Sequence, residues 1–181
     1  MVCIFLAEGF EMIEALTPCD VLKRAGAEVA LVSVTDSLSV TSTHGVTITC
    51  DTKITDIRPE DIEMIILPGG MPGADNLYQC EKLCELTVSV AKKGKPVCAI
   101  CAAPFILGRL GLLVRRKATC YPGFEKELTQ AFVTPGGVVR DGNILTAKGM
   151  GVSLPFALAA TRMLFGEEKA RAIAQQIMAE V

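Results

Sequence analysis

The sequence predicts an α/β fold: one mostly parallel β-sheet with helices on both faces and a small β-hairpin. Two observations carry this. Short apolar runs of strand length alternate with longer segments of helical periodicity, the order that builds βαβ units. Hydrophobic residues make up 50% of the 181-residue chain while aromatics make up 5%, as suits a sheet buried on both faces and packed with Val, Ile, Leu, Ala and Met. At this length the whole chain, residues 1–181, reads as a single domain able to bury about two thirds of its unfolded surface.

The elements follow in order. Val2–Leu6 is a strand, broken at Glu8-Gly9. Ile13 to Ala25 has helical spacing, with Pro18 inside as a potential kink or later start, and Gly26 stops it. Val29–Val34 is a second strand, and Val40 to Cys50 alternates about His44-Gly45 as a hairpin. Ile62–Leu67 is a continuous apolar strand ending at Pro68-Gly69-Gly70, and a helix is expected from Asp75 to Lys93. Pro96–Ile100 is a further buried strand running into Cys101 and a helix, Pro104 to Leu110. Beyond it come a short strand at Ala118–Tyr121, a short helix at Phe124–Leu128, and two strands about the Asp141-Gly142-Asn143 turn. Helices over Ser153–Phe165 and Glu167–Glu180 finish the chain. In sheets of this kind the site lies beyond the carboxyl ends of the strands. There Glu8 to Glu14, Pro68-Gly69-Gly70 and Cys101 are expected to meet.

The bulk numbers exclude several classes. Net charge is −2, and the densest basic cluster, Arg115-Arg116-Lys117, reads as a solvated turn, so no nucleic acid partner is implied. No apolar run reaches the length of a membrane span, and Met1 runs into Val2 with no basic leader, which sets the expectation of a cytoplasmic protein. The eight cysteines are therefore read as reduced, several of them as small buried hydrophobes.

Cys101 is the residue with chemistry. Ala99-Ile100-Cys101-Ala102-Ala103-Pro104 places a cysteine between a strand and a helix among small neighbours, the pattern of a nucleophile elbow. A helix N-terminus favours the thiolate, so a lowered pKa is expected. The alternative is a buried structural cysteine at a strand end. Cys98 and Cys101 form a single CxxC, which lacks the second ligand pair of a zinc site, and no metal or cofactor is expected. Cys80 and Cys84 are read as core or surface thiols on one helix face. The run Leu67 to Gly73 matches no phosphate loop and is either a plain loop or a source of backbone N–H donors for an oxyanion. Glu14, followed by Ala15-Leu16, is the acid most suited to burial beside the thiol, where its pKa would rise. His44, the only histidine, reads as an exposed turn residue.

These motifs resemble the ThiJ/PfpI superfamily, in the branch of Parkinson disease protein 7, over almost the whole chain. The residues that carry the resemblance are Glu11-Met12-Ile13-Glu14, Leu67-Pro68-Gly69-Gly70, Gly73 to Leu77, Ala99-Ile100-Cys101-Ala102 with Pro104, and Asp141 to Ala147. It implies a flavodoxin-like sandwich and a homodimer. It implies Cys101 as an oxidisable nucleophile, Glu14 as its protonated partner, and Gly70 with Ala102 as backbone oxyanion donors, with Gly69 as an accessory. Three departures stand out: Tyr121 where relatives carry His, Ala103 in place of Gly, and Gly149-Met150-Gly151 in place of Gly-Pro-Gly. His44 matches a basic position that in relatives approaches the partner subunit's site. The activity implied is cofactor-independent glyoxalase or deglycase chemistry on small reactive carbonyls in stress protection. The alternatives are a redox sensor or chaperone signalling through Cys101 oxidation, and a peptidase, amidase or thiamine-biosynthesis protein. Tyr121 supplies no base for the amidase reading.

Overall fold

The computed structural model describes residues 1–179. In chain order the elements are β1 (Val2–Leu6), α1 (Met12–Arg24), β2 (Val29–Ser33), β3 (Ser39–Thr41), β4 (Thr47–Thr49), β5 (Thr52–Lys53) and β6 (Met64–Leu67). Then come α2 (Gly73–Gln79), α3 (Glu81–Lys92), β7 (Val97–Ile100), α4 (Pro104–Arg109), β8 (Lys117–Ala118), β9 (Phe132–Val133), β10 (Val138–Asp141), β11 (Ile144–Ala147), α5 (Ser153–Phe165) and α6 (Glu167–Gln176). The main sheet runs β10-β11-β7-β6-β1-β2-β5, parallel except for the β10–β11 pair. β3 and β4 form the expected antiparallel hairpin, with His44 in its turn.

Alternation along each strand explains the two cores. In β1, Cys3 and Phe5 join Ile65, Leu67, Val97 and Ala99 under α2, α3 and α4. Val2, Ile4 and Leu6 face the other way and join Ile66, Cys98, Ile100, Ala15, Leu22 and Phe156 under α1 and α5. β1, β6 and β7 are apolar at every position because both of their faces are covered. α6 packs onto α1 and α5 through Ile173, Ala174, Val21 and Leu158.

Several expectations need correction. The single helix over Asp75–Lys93 is two helices, broken where Cys80 takes an extended ψ of 96°. Pro18 neither ends nor delays α1, which starts at Met12 with Glu11 as its cap; proline only withholds one amide from the helix. The expected strand at Ala118–Tyr121 is shorter and shifted to Lys117–Ala118, where it pairs with β9, unforeseen because that partner lies far along the chain. The expected helix at Phe124–Leu128 is one 3₁₀ turn, Glu125–Glu127. The last helix ends at Gln176, and Glu180, its expected end, lies outside the described residues. Among the described residues no helix is long and apolar enough to cross a membrane.

Candidate active site

Cys101 directly follows β7, whose sheet neighbours are β6 and β11. Both neighbours deliver backbone to it. Its amide donates to the carbonyl of Ala147, the last residue of β11, at 2.9 Å, and its carbonyl accepts from the Tyr121 amide at 2.8 Å. Cys101 has φ of 65°, a left-handed conformation that is uncommon for a residue with a side chain. That turn, made without glycine, lifts the side chain out of the strand and leaves it partly exposed while Ile100 and Ala102 are buried. The strand–turn–helix geometry of a nucleophile elbow is thus present.

β6 contributes the glycines. A side chain on Gly69 would meet Cys101 Cβ and Glu14 Oε2, both at 2.7 Å. Gly70 has φ of +86°, and a Cβ there would lie 2.5 Å from the Glu11 amide. Bare backbone lets this loop close against the thiol. The N–H groups of Gly70 and Ala102 both point at the sulfur and favour its anion.

Glu14 is the acid of the site. It is fully buried on the first turn of α1, and Oε2 accepts the Gly69 amide at 2.8 Å. Oε1 is buried and has no partner in ordinary hydrogen-bond geometry, although the carboxyl and the Cys101 thiol are close enough to shift each other. Burial is the main cause that raises the carboxyl to about 7, against lesser lowering by the Gly69 amide and the Cys101 thiol. Glu8 and Glu11 have other duties: Glu8 accepts the Thr41 amide at 3.1 Å, and Glu11 caps α1 through the Ile13 amide.

The expected lowering of the Cys101 pKa is overturned. Burial, then the Glu14 carboxylate, push the thiol up to about 12, against the Ala102 and Gly70 amides. α4, with Ala103 as its cap, spans Pro104–Arg109, so its N-terminal field starts beyond the thiol and is outweighed. Two of the three raising causes come from Glu14 in its charged form. When Glu14 carries the proton, the repulsion by its carboxylate vanishes and the neutral acid can donate to sulfur. The two groups therefore titrate as one coupled pair.

Tyr121 is half exposed, and its ring lies 3.4 Å from the Cβ position of Gly149, which is itself 3.9 Å from the Cys101 sulfur. Gly149 is thus a wall of the site that sequence reasoning noted only as part of an altered glycine turn. His44 is exposed in the hairpin, with Nδ1 3.8 Å from Glu11 Oε2, so within one chain its charged neighbour is the α1 cap and not Cys101. All eight cysteines are free, and among the described residues no group of three His, Cys, Asp or Glu side chains could hold a metal. The clefts along α1, α3, α5 and α6 do not include Cys101.

This elbow, with a buried acid and glycine backbone converging on one thiol, has relatives. The model of the DJ-1/PfpI family matches residues 1–163. The chain belongs to the DJ-1/PfpI family. It is 38% identical over 171 residues to protein DJ-1 homolog B of Arabidopsis thaliana, covering 93% of this chain and 39% of that one. The chain thus spans less than half the length of the Arabidopsis relatives it matches. It is 33% identical over 152 residues to a protein of Pyrococcus abyssi named as a deglycase, covering 83% and 90% of the two chains. The oxidized DJ-1 of Toxoplasma gondii superimposes with a TM-score of 0.95 at 34% identity, covering 99% and 98%. The fold and the family expected from the motifs are both as read.

Proposed function

We propose that this protein acts on small reactive carbonyls through Cys101, without a cofactor, as a glyoxalase or deglycase in stress protection. One observation carries the reading: a fully buried Glu14, raised to about 7, shares its environment with the Cys101 thiol and has a free oxygen. Such a pair holds and moves one proton near neutral pH. The relative named as a deglycase supports the same direction.

With methylglyoxal as substrate, the Cys101 sulfur bonds to the aldehyde carbon and the carbonyl oxygen takes up the thiol proton, giving a hemithioacetal. In this reading the Gly70 and Ala102 N–H groups, which approach the sulfur, hold the oxyanion as it forms. Glu14 takes the proton from the former aldehyde carbon and returns it to the adjacent carbon, while the hydroxyl proton passes from the first oxygen to the second, leaving a lactoyl thioester on Cys101. Water then releases the acyl group from sulfur as lactate and restores the thiol. The Tyr121 hydroxyl can donate a hydrogen bond to the bound carbonyl. The test is methylglyoxal turnover by the wild type, Cys101→Ser and Glu14→Gln. Lactate formation that survives Cys101→Ser rejects the mechanism.

A second reading is a redox sensor or chaperone whose signal is oxidation of Cys101 to sulfinate. The two N–H groups aimed at the sulfur suit an anionic oxidised sulfur equally well. Mass spectrometry after mild peroxide, with no carbonyl turnover in the same preparation, selects it. In either reading the protein is expected to be a cytoplasmic homodimer, with α1 and the His44 hairpin near the interface. Ile13, exposed on α1, is consistent with this, and a monomer in sedimentation rejects it.

A further inference from the structure

Two thiols far from Cys101 in sequence stand one helical turn apart at the start of α3. Cys80 holds the N-cap position, where Ser, Thr, Asp or Asn normally accepts a backbone amide. Its side chain makes no such bond. The Cys84 amide donates to the Cys80 carbonyl at 3.1 Å, which places the two residues on successive turns. Helical side chains lean toward the N-terminus, and Cys84 does so: its thiol donates to the Tyr78 carbonyl at 3.2 Å, over the α2–α3 junction. Both thiols are partly exposed, and Cys84 lines an open cleft with Val88, Lys92 and Leu110.

Spacing decides what the pair can hold. Residues four apart on a helix have Cβ atoms about 5–6 Å apart. A disulfide needs about 3.5–4.5 Å, so direct S–S bonding requires the backbone to move. A single thiophilic atom, bonded to each sulfur at about 2.3 Å, fills the wider gap. No third ligand stands near enough for tetrahedral zinc, which leaves ions content with two sulfur ligands.

We propose that Cys80 and Cys84 form a two-thiol clamp for trivalent arsenic. Burial, Cys80 and the Glu81 and Glu85 carboxylates all raise Cys84, so that thiol is held neutral. Neutral thiols suit the reaction, which is a condensation. With phenylarsine oxide, each sulfur bonds to arsenic, both thiol protons join the arsenic-bound oxygen, and water leaves. No oxidation state changes, and no second reactant is needed.

The test treats the full chain with an equivalent of phenylarsine oxide, followed by intact mass and peptide mapping. The expected product carries one phenylarsenic bridging Cys80 and Cys84, is released by an excess of a small dithiol, and persists in Cys101→Ser. Cys80→Ser, which places a good capping residue at the N-cap and so keeps the helix, should weaken retention about a hundredfold, as should Cys84→Ser, because each removes one of two linked contacts. An adduct bridging Cys98 and Cys101, or one that survives Cys80→Ser with unchanged affinity, overturns the clamp.

Discussion

The Gly69 amide donates to Glu14 Oε2 at 2.8 Å while the Gly69 Cα faces Cys101, so one glycine stands against both members of the reactive pair. Its N–H steadies the carboxyl, and its missing side chain leaves room for the thiol. In the proposed reaction Gly69 is a positioning residue.

Gly69→Ala should therefore damage the site more than the fold. The new methyl would meet Cys101 Cβ and Glu14 Oε2 at 2.7 Å and the Ile100 carbonyl at 3.1 Å. Overpacking of this kind costs about 1–3 kcal/mol. Denaturant unfolding should show that loss, and the rate of Cys101 alkylation should change with it. A variant that matches the wild type in both would remove Gly69 from the site.

Cys101 should react with iodoacetamide along a pH profile set by the pair. One proton leaves near 7, the value of Glu14, and in one tautomer of what remains the thiolate accepts from neutral Glu14, Gly70 and Ala102. Glu14→Gln should abolish the step near pH 7 yet keep an N–H donor for sulfur. Glu14→Leu removes the donor as well and should be slower than Glu14→Gln by about tenfold or more, the worth of a hydrogen bond to a charged group. Equal rates for the two variants at pH 7 would rule out Glu14 as donor.

Much of this site is legible in the chain because its parts are local. Ala99 to Pro104 carries a strand end, a tight turn and a helix start within six residues, and the turn is the one observed at Cys101. The burial of Glu14 is signalled by the apolar residues that follow it. The break at Cys80 is not legible, since one ψ angle makes it and no glycine or proline marks it. The β8–β9 pair is hidden for another reason: its strands are two residues long and far apart in sequence. The direction of the Cys101 shift is also invisible to local reasoning. A helix N-terminus can be seen in sequence, whereas the opposing desolvation comes from β6, α1 and β11 closing around the sulfur.

Stability should fall as pH rises through the Glu14 transition. A carboxyl at about 7 in the fold, against an ordinary 4.5, holds its proton more tightly when folded. That contribution is fully present below pH 4.5 and is lost as pH rises through 7. Its size is about 3 kcal/mol, from the free-energy equivalent of the shift. Measured against Glu14→Gln, which cannot titrate, the wild type should lose about this much between pH 4.5 and pH 8. Parallel pH dependences for the two proteins would mean that Glu14 ionises as an exposed acid does.

Tyr121→His tests whether the site lacks only a base. The Tyr121 ring flanks Gly149, across from the Cys101 sulfur, and its amide is tied to the Cys101 carbonyl, so the backbone holds position 121 in place whatever its side chain. An imidazole there, with an ordinary pKa of about 6.5, can take the thiol proton near neutrality, which a phenol with a pKa of about 10 cannot. As an imidazolium it would also offset the Glu14 carboxylate that raises the thiol. Alkylation of Cys101 at pH 7 should then rise by about tenfold, the equivalent of a one-unit fall in thiol pKa. Hydrolysis of an activated amide or ester, absent in the wild type, should become measurable in the same variant and vanish again when Cys101→Ser is added. An unchanged alkylation rate in Tyr121→His would mean that the side chain at 121 does not reach the thiol, and that Glu14 is the sole proton carrier of the site.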